Sequence, residues 1–302
     1  MNRERPPDDT LALRMKIQRG PARVTKTHHS KIRAALAFLP DGRHGLGALA
    51  AIIALGTGAG LPAHAASCSA SSHPQRVALL ELYTSEGCNS CPPAERWLSG
   101  LRARGIQSDQ LIPLAFHVDY WDYIGWIDRY AHPGFAARQR LIADRNHASF
   151  IYTPQFILNG RDVQRPWMGD KLAKQLGEVN AQRSRLEIDA ELSMQNNSAT
   201  VSVRVRNQDI HKANVYVALF ENGLSTEVQA GENAGKRLYH EFVVRRFEGP
   251  FVVVPGAELK HRYTFDLAPF GDHSRLGFAL FGEDGTTGAT MQAMTLPICT
   301  ES

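Results

Sequence analysis

An apolar run, Val77-Ala78-Leu79-Leu80-Glu81-Leu82-Tyr83, feeds directly into Gly87-Cys88-Asn89-Ser90-Cys91-Pro92-Pro93. This junction limits the possible folds more than any other stretch of the chain. Two cysteines separated by two residues come within disulfide reach when one helical turn starts between them. A strand in front and a helix behind form the setting of a dithiol redox motif. The helix N-terminus lowers the pKa of a thiol placed there and favours the reactive thiolate. Pro92 and Pro93 fit a first helical turn, where the missing N–H has no partner to lose. Ser90 is placed to act as N-cap. The helix is then expected to run through Ala94-Glu95-Arg96-Trp97-Leu98-Ser99-Gly100-Leu101.

The residues that follow alternate between strand and helix patterns. Leu111 to Val118 reads as a second buried strand, followed by an aromatic loop from Asp119 to His132. Phe135 to His147 has helical periodicity, with Phe135, Leu141 and Ile142 as its apolar positions. Phe156 to Val163 reads as a hairpin turning at Asn159-Gly160. Lys171 to Gln182 closes the series as a helix, with Leu172, Leu176 and Val179 on one stripe. Strand, helix, strand, helix, hairpin and helix make up the minimal thioredoxin-like order, so residues 67–184 are expected to form an α/β thioredoxin-like domain. Thr153-Pro154 stands before the hairpin, where such folds carry a cis-proline facing the cysteines; an ordinary strand-opening proline is the alternative.

From Leu186 the apolar period changes to two. Leu186, Ile188, Ala190 and Leu192 alternate, as do Val201, Val203 and Val205, and Val215, Val217 and Leu219. Further strands are expected at 241–246, 251–254, 262–267, 276–281 and 289–296. Asn196-Asn197, Glu221-Asn222-Gly223, Pro255-Gly256 and Glu283-Asp284-Gly285 punctuate them. Residues 185–302 are therefore expected to form an antiparallel β-sandwich domain.

The N-terminal 66 residues have a different composition. They carry ten Lys and Arg against four Asp and Glu, out of 34 and 30 in the whole chain. Residues 67–302 thus carry 24 against 26, a slightly acidic balance. The alkaline character of the chain resides in the leader and does not indicate a nucleic-acid partner. Leu46 to Leu61 is an apolar run rich in Ala and Gly, followed by Ala63-His64-Ala65, a small-x-small cleavage pattern. Residues 1–66 are expected to be a leader and signal peptide, with Met15 as an alternative start. An uncleaved anchor is the rival reading, but sixteen residues with four glycines are short for a span of about 20. Lipidation at Cys68 is a third reading. Export to the periplasm or beyond the cell permits disulfides, and cleavage leaves no membrane segment.

Cys88 is expected to be the attacking thiol and Cys91 the resolving one. A purely structural disulfide and a zinc site are the rivals. Zinc normally takes four ligands, and the chain has no second Cys-x-x-Cys. No metal or cofactor is therefore assigned, although His117 or His132 could join a site through the fold. The aromatic loop follows a strand expected to lie beside the cysteine-bearing one. Asp119, Trp121 and Trp126 are thus candidates to wall a substrate groove together with Thr153 and Pro154; packing between the two halves is the alternative for the aromatic residues. His117 reads either as a hydrogen-bonded core histidine or as a proton shuttle, and Glu86 as a solvated loop carboxylate. Cys68 and Cys299 lie near the two ends of the exported portion and are expected to pair, with free thiols as the alternative.

These residues resemble the family called domain of unknown function 1223, exported bacterial proteins of thioredoxin-like type. The resemblance rests on Glu81 to Glu95, His117 to Trp126, Tyr152-Thr153-Pro154-Gln155, Gly231 to Gly235 and His240 to Arg245. It implies the fold and the redox character of the cysteines but no substrate. The chain departs from ordinary thioredoxin in lacking a Trp before Cys88 and in having Asn-Ser between the cysteines. The expected activity is thiol–disulfide exchange on an exported protein or a small thiol, with direction and redox partner open. A binding module without turnover is the alternative.

Overall fold

The computed structural model describes residues 15–16, 67–164, 166 and 171–299. Apart from residues 15–16, the expected leader lies outside the described residues. The first half of the described chain comprises β1 (Ser67–Ser71), β2 (Ala78–Thr84), α1 (Cys91–Ser99), β3 (Leu111–His117), α2 (Pro133–Arg145), the hairpin of β4 (Gln155–Leu158) and β5 (Arg161–Asp162), and α3 (Lys171–Asn180). β2 is buried at every position, which suits a strand covered on both faces. It pairs in parallel with β3 and antiparallel with β4. The β4–β5 turn places Asn159 and Gly160 at φ 48° and 79°, the positive angles that a two-residue hairpin turn requires. The Asn159 side chain also accepts the Leu79 N–H at 2.9 Å, tying the turn to β2.

The second half contributes β6 (Leu186–Gln195), β7 (Ser198–Asn207), β8 (Ala213–Glu221), β9 (Leu224–Glu227), β10 (Arg237–His240), β11 (Val243–Val253), β12 (Glu258–Asp266), β13 (Leu276–Asp284) and β14 (Thr290–Pro297). β12, β7, β6 and β1 form a four-stranded sheet in that order. Its alternating apolar residues, among them Leu186, Ile188, Val201 and Val203, pack with Val215, Val217, Phe278 and Leu280 in one buried cluster. Cys68 on β1 and Cys299 beyond β14 are joined by a disulfide with Cα atoms 5.9 Å apart. Among the described residues no helix is long and apolar enough to cross a membrane.

The expected division at residues 184 and 185 does not separate two domains. One eight-stranded sheet runs β14-β13-β8-β11-β3-β2-β4-β5, drawing strands from both halves, and the described residues from 67 onward belong to one compact unit. The joint is β3 against β11, with the Ala115 N–H donating to the Phe242 carbonyl at 2.8 Å. β1, assigned by sequence to the first half, pairs instead with β6 of the four-stranded sheet. The strands expected at 241–246 and 251–254 are one strand, β11, which runs alongside β8.

A buried ionic network reinforces the continuous sheet. Glu81 lies in the middle of β2, and Arg138 of α2 meets it through Nε at 2.7 Å and a terminal nitrogen at 2.8 Å. Arg138 also donates to Glu283 of β13. All three side chains are buried. The two-pronged geometry of the guanidinium suits such sites, because it satisfies both carboxylate oxygens at once. Leu141, expected on the apolar face of α2, is exposed, whereas Arg138 and Gln139 are buried.

Candidate functional site

The loop Ser85-Glu86-Gly87 carries the chain from the C-terminal end of β2 to the cysteine turn. The Cys88 N–H donates to the Ser85 carbonyl at 3.1 Å and the Cys91 N–H to the Cys88 carbonyl at 3.2 Å. This tight winding brings the two Cα atoms to 5.4 Å, and the sulfurs form a disulfide. Both cysteines are fully buried, whereas Asn89 and Ser90 between them are exposed. Ser90 occupies the N-cap position, but its hydroxyl makes no capping bond. It lies instead 3.3 Å from the Cys88 sulfur.

Gly87 lets the aromatic loop approach. A Cβ there would stand 3.1 Å from the Trp121 Cβ and 3.3 Å from the Ile124 side chain. Trp121 is buried in the same apolar cluster as Cys88 and Cys91, and its indole N–H donates to the Thr153 hydroxyl at 2.6 Å. The Thr153–Pro154 peptide is cis. Trp121 therefore links the Thr153-Pro154 turn to the cysteine loop. Trp126 reaches the same loop by another route, donating its indole N–H to Glu86 at 2.8 Å. Asp119 is half-buried and contributes its carbonyl, to the Asp122 N–H.

A ribbon made of β9 and β10 brings a second clamp from the other half of the chain. Asn233, at its turn, donates to the Glu86 carbonyl at 2.8 Å and the Cys88 carbonyl at 3.0 Å. Glu232 accepts the Asn89 N–H at 3.1 Å. The left-handed Gly231 (φ 74°) lies against Trp126, which a Cβ would meet at 3.2 Å. The ribbon was not among the expected strands. Asn233 and Glu232 entered the sequence reading only through the family resemblance.

Beside the disulfide lies a buried polar cluster of Glu86, Glu95, His117, Asp128 and His240. Glu86 is fully buried and so corrects the expectation of a solvated carboxylate: Trp126 holds one of its oxygens and His240 stands 3.3 Å from the other. The Asp128 carboxylate meets His117 Nδ1 at 2.7 Å and accepts the Glu86 N–H at 2.8 Å. Glu95 accepts from Thr84 through one oxygen and pairs with His240 Nδ1 through the other. At Glu95, Asp128 and His240 burial works against charge, but the partners prevail. Burial lowers the basicity of His240, yet the carboxylates of Glu95 and Glu86 raise its pKa to about 10. Burial likewise opposes ionisation of Glu95, and the adjacent His240 outweighs it, holding that carboxyl below its usual range. Asp128 is shifted the same way by His117.

Three atoms in this cluster have no hydrogen-bond partner: Glu86 Oε1, His117 Nε2 and His240 Nε2. Glu95, His117 and His240 also present ligand-type atoms within 4.8 Å of one another.

 The signal that could have revealed Glu95 is its spacing: Cys91, Ala94, Glu95 and Leu98 fall on one helical face, and all four are buried. His240 was legible in the same way, since Arg237-Leu238-Tyr239-His240 alternates and puts His240 on the side of Leu238.

Comparison with curated proteins gives no match. Two solved structures share the fold. Protein AGR_C_4864 from Agrobacterium tumefaciens is 23% identical, with a TM-score of 0.55 over 76% of this chain and 100% of its own. HBP35 of Porphyromonas gingivalis is 12% identical, with a TM-score of 0.55 over 76% of this chain and 80% of its own. The profile described as "Protein of unknown function (DUF1223)" matches residues 79–274, which include the cysteine turn, the aromatic loop, the ribbon clamp and every member of the buried cluster. With well over half of its length matched, the chain belongs to the DUF1223 family.

Proposed function

We propose that this protein carries out thiol–disulfide exchange through Cys88 and Cys91, on a thioredoxin-like scaffold exported to the periplasm or beyond the cell. The observation that carries the reading is the Cys88–Cys91 disulfide at the start of α1, directly after a central parallel strand. In the reducing direction, the Cys88 thiolate attacks one sulfur of a substrate disulfide. A Cys88–substrate disulfide forms and one substrate thiolate leaves. The Cys91 thiolate then attacks the Cys88 sulfur, restores the internal disulfide and releases the second substrate thiolate. Two electrons pass to the substrate, and the reverse sequence oxidises a dithiol. The substrates are thiols or disulfides of exported proteins, or a small thiol. Trp121, Thr153 and Pro154 would form one wall of the substrate groove, with Trp126 on the Glu86 side. Asn89 and Ser90 are the exposed approach to the sulfurs.

A second reading, a binding module without turnover, is favoured by the complete burial of both cysteines. Insulin reduction and dithiol oxidation assays on the purified protein separate the two. Exchange is expected for the native protein and absent for Cys88→Ala. Cys91→Ala should accumulate mixed disulfides on non-reducing gels, because the resolving thiol is gone. Equal adduct yields from both variants would remove these roles, and no turnover in either direction would favour the binding module.

A further inference from the structure

The geometry points to a buried site for one divalent transition-metal ion of the Zn²⁺ type, held by His117, His240 and Glu95, with Asp128 and Glu86 behind the two imidazole rings. Three observations converge on this site, and the charge balance accommodates it. Ligand-type atoms of Glu95, His117 and His240 already lie within 4.8 Å of one another, and all three residues are buried. Neighbouring ligands in a tetrahedral zinc site stand about 3.3 Å apart, given bonds of about 2.0–2.1 Å. Closing the cluster around an ion therefore takes side-chain shifts of about an ångström.

The second observation is the set of unpartnered atoms. His117 Nε2, His240 Nε2 and Glu86 Oε1 are buried without a hydrogen bond. His240 Nε2 and Glu86 Oε1 stand 3.3 Å apart without meeting in one. Leaving such a group unsatisfied in the interior costs about 1–3 kcal/mol, and an ion held by Glu95, His117 and His240 would give His117 Nε2 a partner. The third observation is the arrangement behind the rings. His117 directs Nδ1 at Asp128 and His240 turns Nε2 to Glu86 at 3.3 Å, leaving His117 Nε2 and the His240 Nδ1 that meets Glu95 as the metal donors. A carboxylate on one ring nitrogen fixes the imidazole orientation and frees the other nitrogen for a metal.

The charge balance accommodates an ion. Three carboxylates, Glu86, Glu95 and Asp128, share the interior with two imidazoles. Even with both rings protonated, the set remains negative by one charge, and with neutral rings by three. A divalent cation with neutral imidazoles brings the set to the same single negative charge as two protonated rings, so the ion can take the place of both protons. Imidazole and carboxylate donors suit Zn²⁺, Co²⁺, Ni²⁺ and Fe²⁺. The sulfurs of Cys88 and Cys91 are bonded to each other, so the proposed donors are nitrogen and oxygen only. Glu86 lies two residues before Cys88 and Glu95 four after Cys91, so an ion here would brace both ends of the redox turn.

The test is a titration of the oxidised, chelator-treated protein with Co²⁺, read by its visible ligand-field absorption, followed by displacement with Zn²⁺. One Co²⁺ per chain is expected, released by one equivalent of Zn²⁺ and retained in a Cys88→Ser/Cys91→Ser variant. His117→Gln and His240→Gln should each weaken binding at least about tenfold, since even supporting residues of metal sites shift affinity by about 10–100-fold. X-ray absorption at the zinc edge of the native protein provides a readout that needs no variant to fold. It should show imidazole and oxygen scatterers at about 2.0 Å. Absence of Co²⁺ and Zn²⁺ binding to the native protein would overturn the proposal. So would a sulfur shell around the zinc, or unchanged affinity in folded His117→Gln and His240→Gln variants.

Discussion

Among the described residues, two buried ionic clusters are built differently. In the first, Arg138 engages both oxygens of Glu81 and reaches Glu283, while Arg145 approaches Glu283 from the other side. Aromatic rings of Phe116, Tyr216, Phe247 and Phe281 surround the guanidinium. In the second, Glu86, Glu95, Asp128, His117 and His240 are equally buried, yet three of their polar atoms lack partners. The first uses its charge to hold two halves of one sheet together. The second leaves bonding capacity unused beside a disulfide. Buried polar groups normally find partners, so burial alone does not mark a functional cluster. Unspent donor and acceptor capacity is the better sign.

The sharpest way to break the comparison is Arg138→Leu. It strands Glu81 and Glu283 in the interior without their shared cation, and breaking a buried pair in this way costs about 3–5 kcal/mol. Denaturant unfolding should show that loss, while the exchange rate per folded molecule should stay close to native. If stability were unchanged, the first cluster would not be the brace described here.

Glu95→Gln addresses the second cluster and should cost less, about 1–3 kcal/mol. The amide keeps an acceptor for Thr84 but removes the negative charge beside His240. Its clearest effect should be on the redox turn: the equilibrium of Cys88–Cys91 with glutathione should shift in Glu95→Gln and hold in Arg138→Leu. Equal shifts in both variants would erase the distinction between the clusters.

Asn233→Ala removes two hydrogen bonds to the carbonyls that flank the cysteine turn. The expected loss of stability is smaller again, about 1–2 kcal/mol. Because the clamp restrains the turn, the Cys88–Cys91 disulfide should be reduced faster by dithiothreitol in this variant. Slower reduction would mean that the clamp presents the disulfide instead of covering it.

Much of the local structure was legible because it depends on near neighbours. Asn159-Gly160 marks a hairpin because both residues tolerate positive φ. Leu186 to Leu192 marks a strand because alternate residues share a face. Three features escaped that logic. The strand period of two shows which face is buried but not which strand lies alongside, so the junction of β3 with β11 and the transfer of β1 to the other sheet were not readable. Glu86 looked like a solvated loop residue because its neighbours are polar; Trp126 and His240, which enclose it, come from distant segments. His240 carried a readable burial pattern but no readable partner, since Glu95 lies 145 residues away.

By itself the sequence determined most of the elements, the turn that brings two cysteines together, and the family. These follow from spacing, backbone preference and motif, all set within a few residues. Only the tertiary structure decided that the two expected domains share one sheet, that a C-terminal ribbon grips the cysteine turn, and that five titratable side chains from five segments meet beside it. The physical reason is that strand pairing and burial of charge are settled by which distant surfaces fit and whose partners are satisfied. Those conditions act between segments and leave little trace within any one of them.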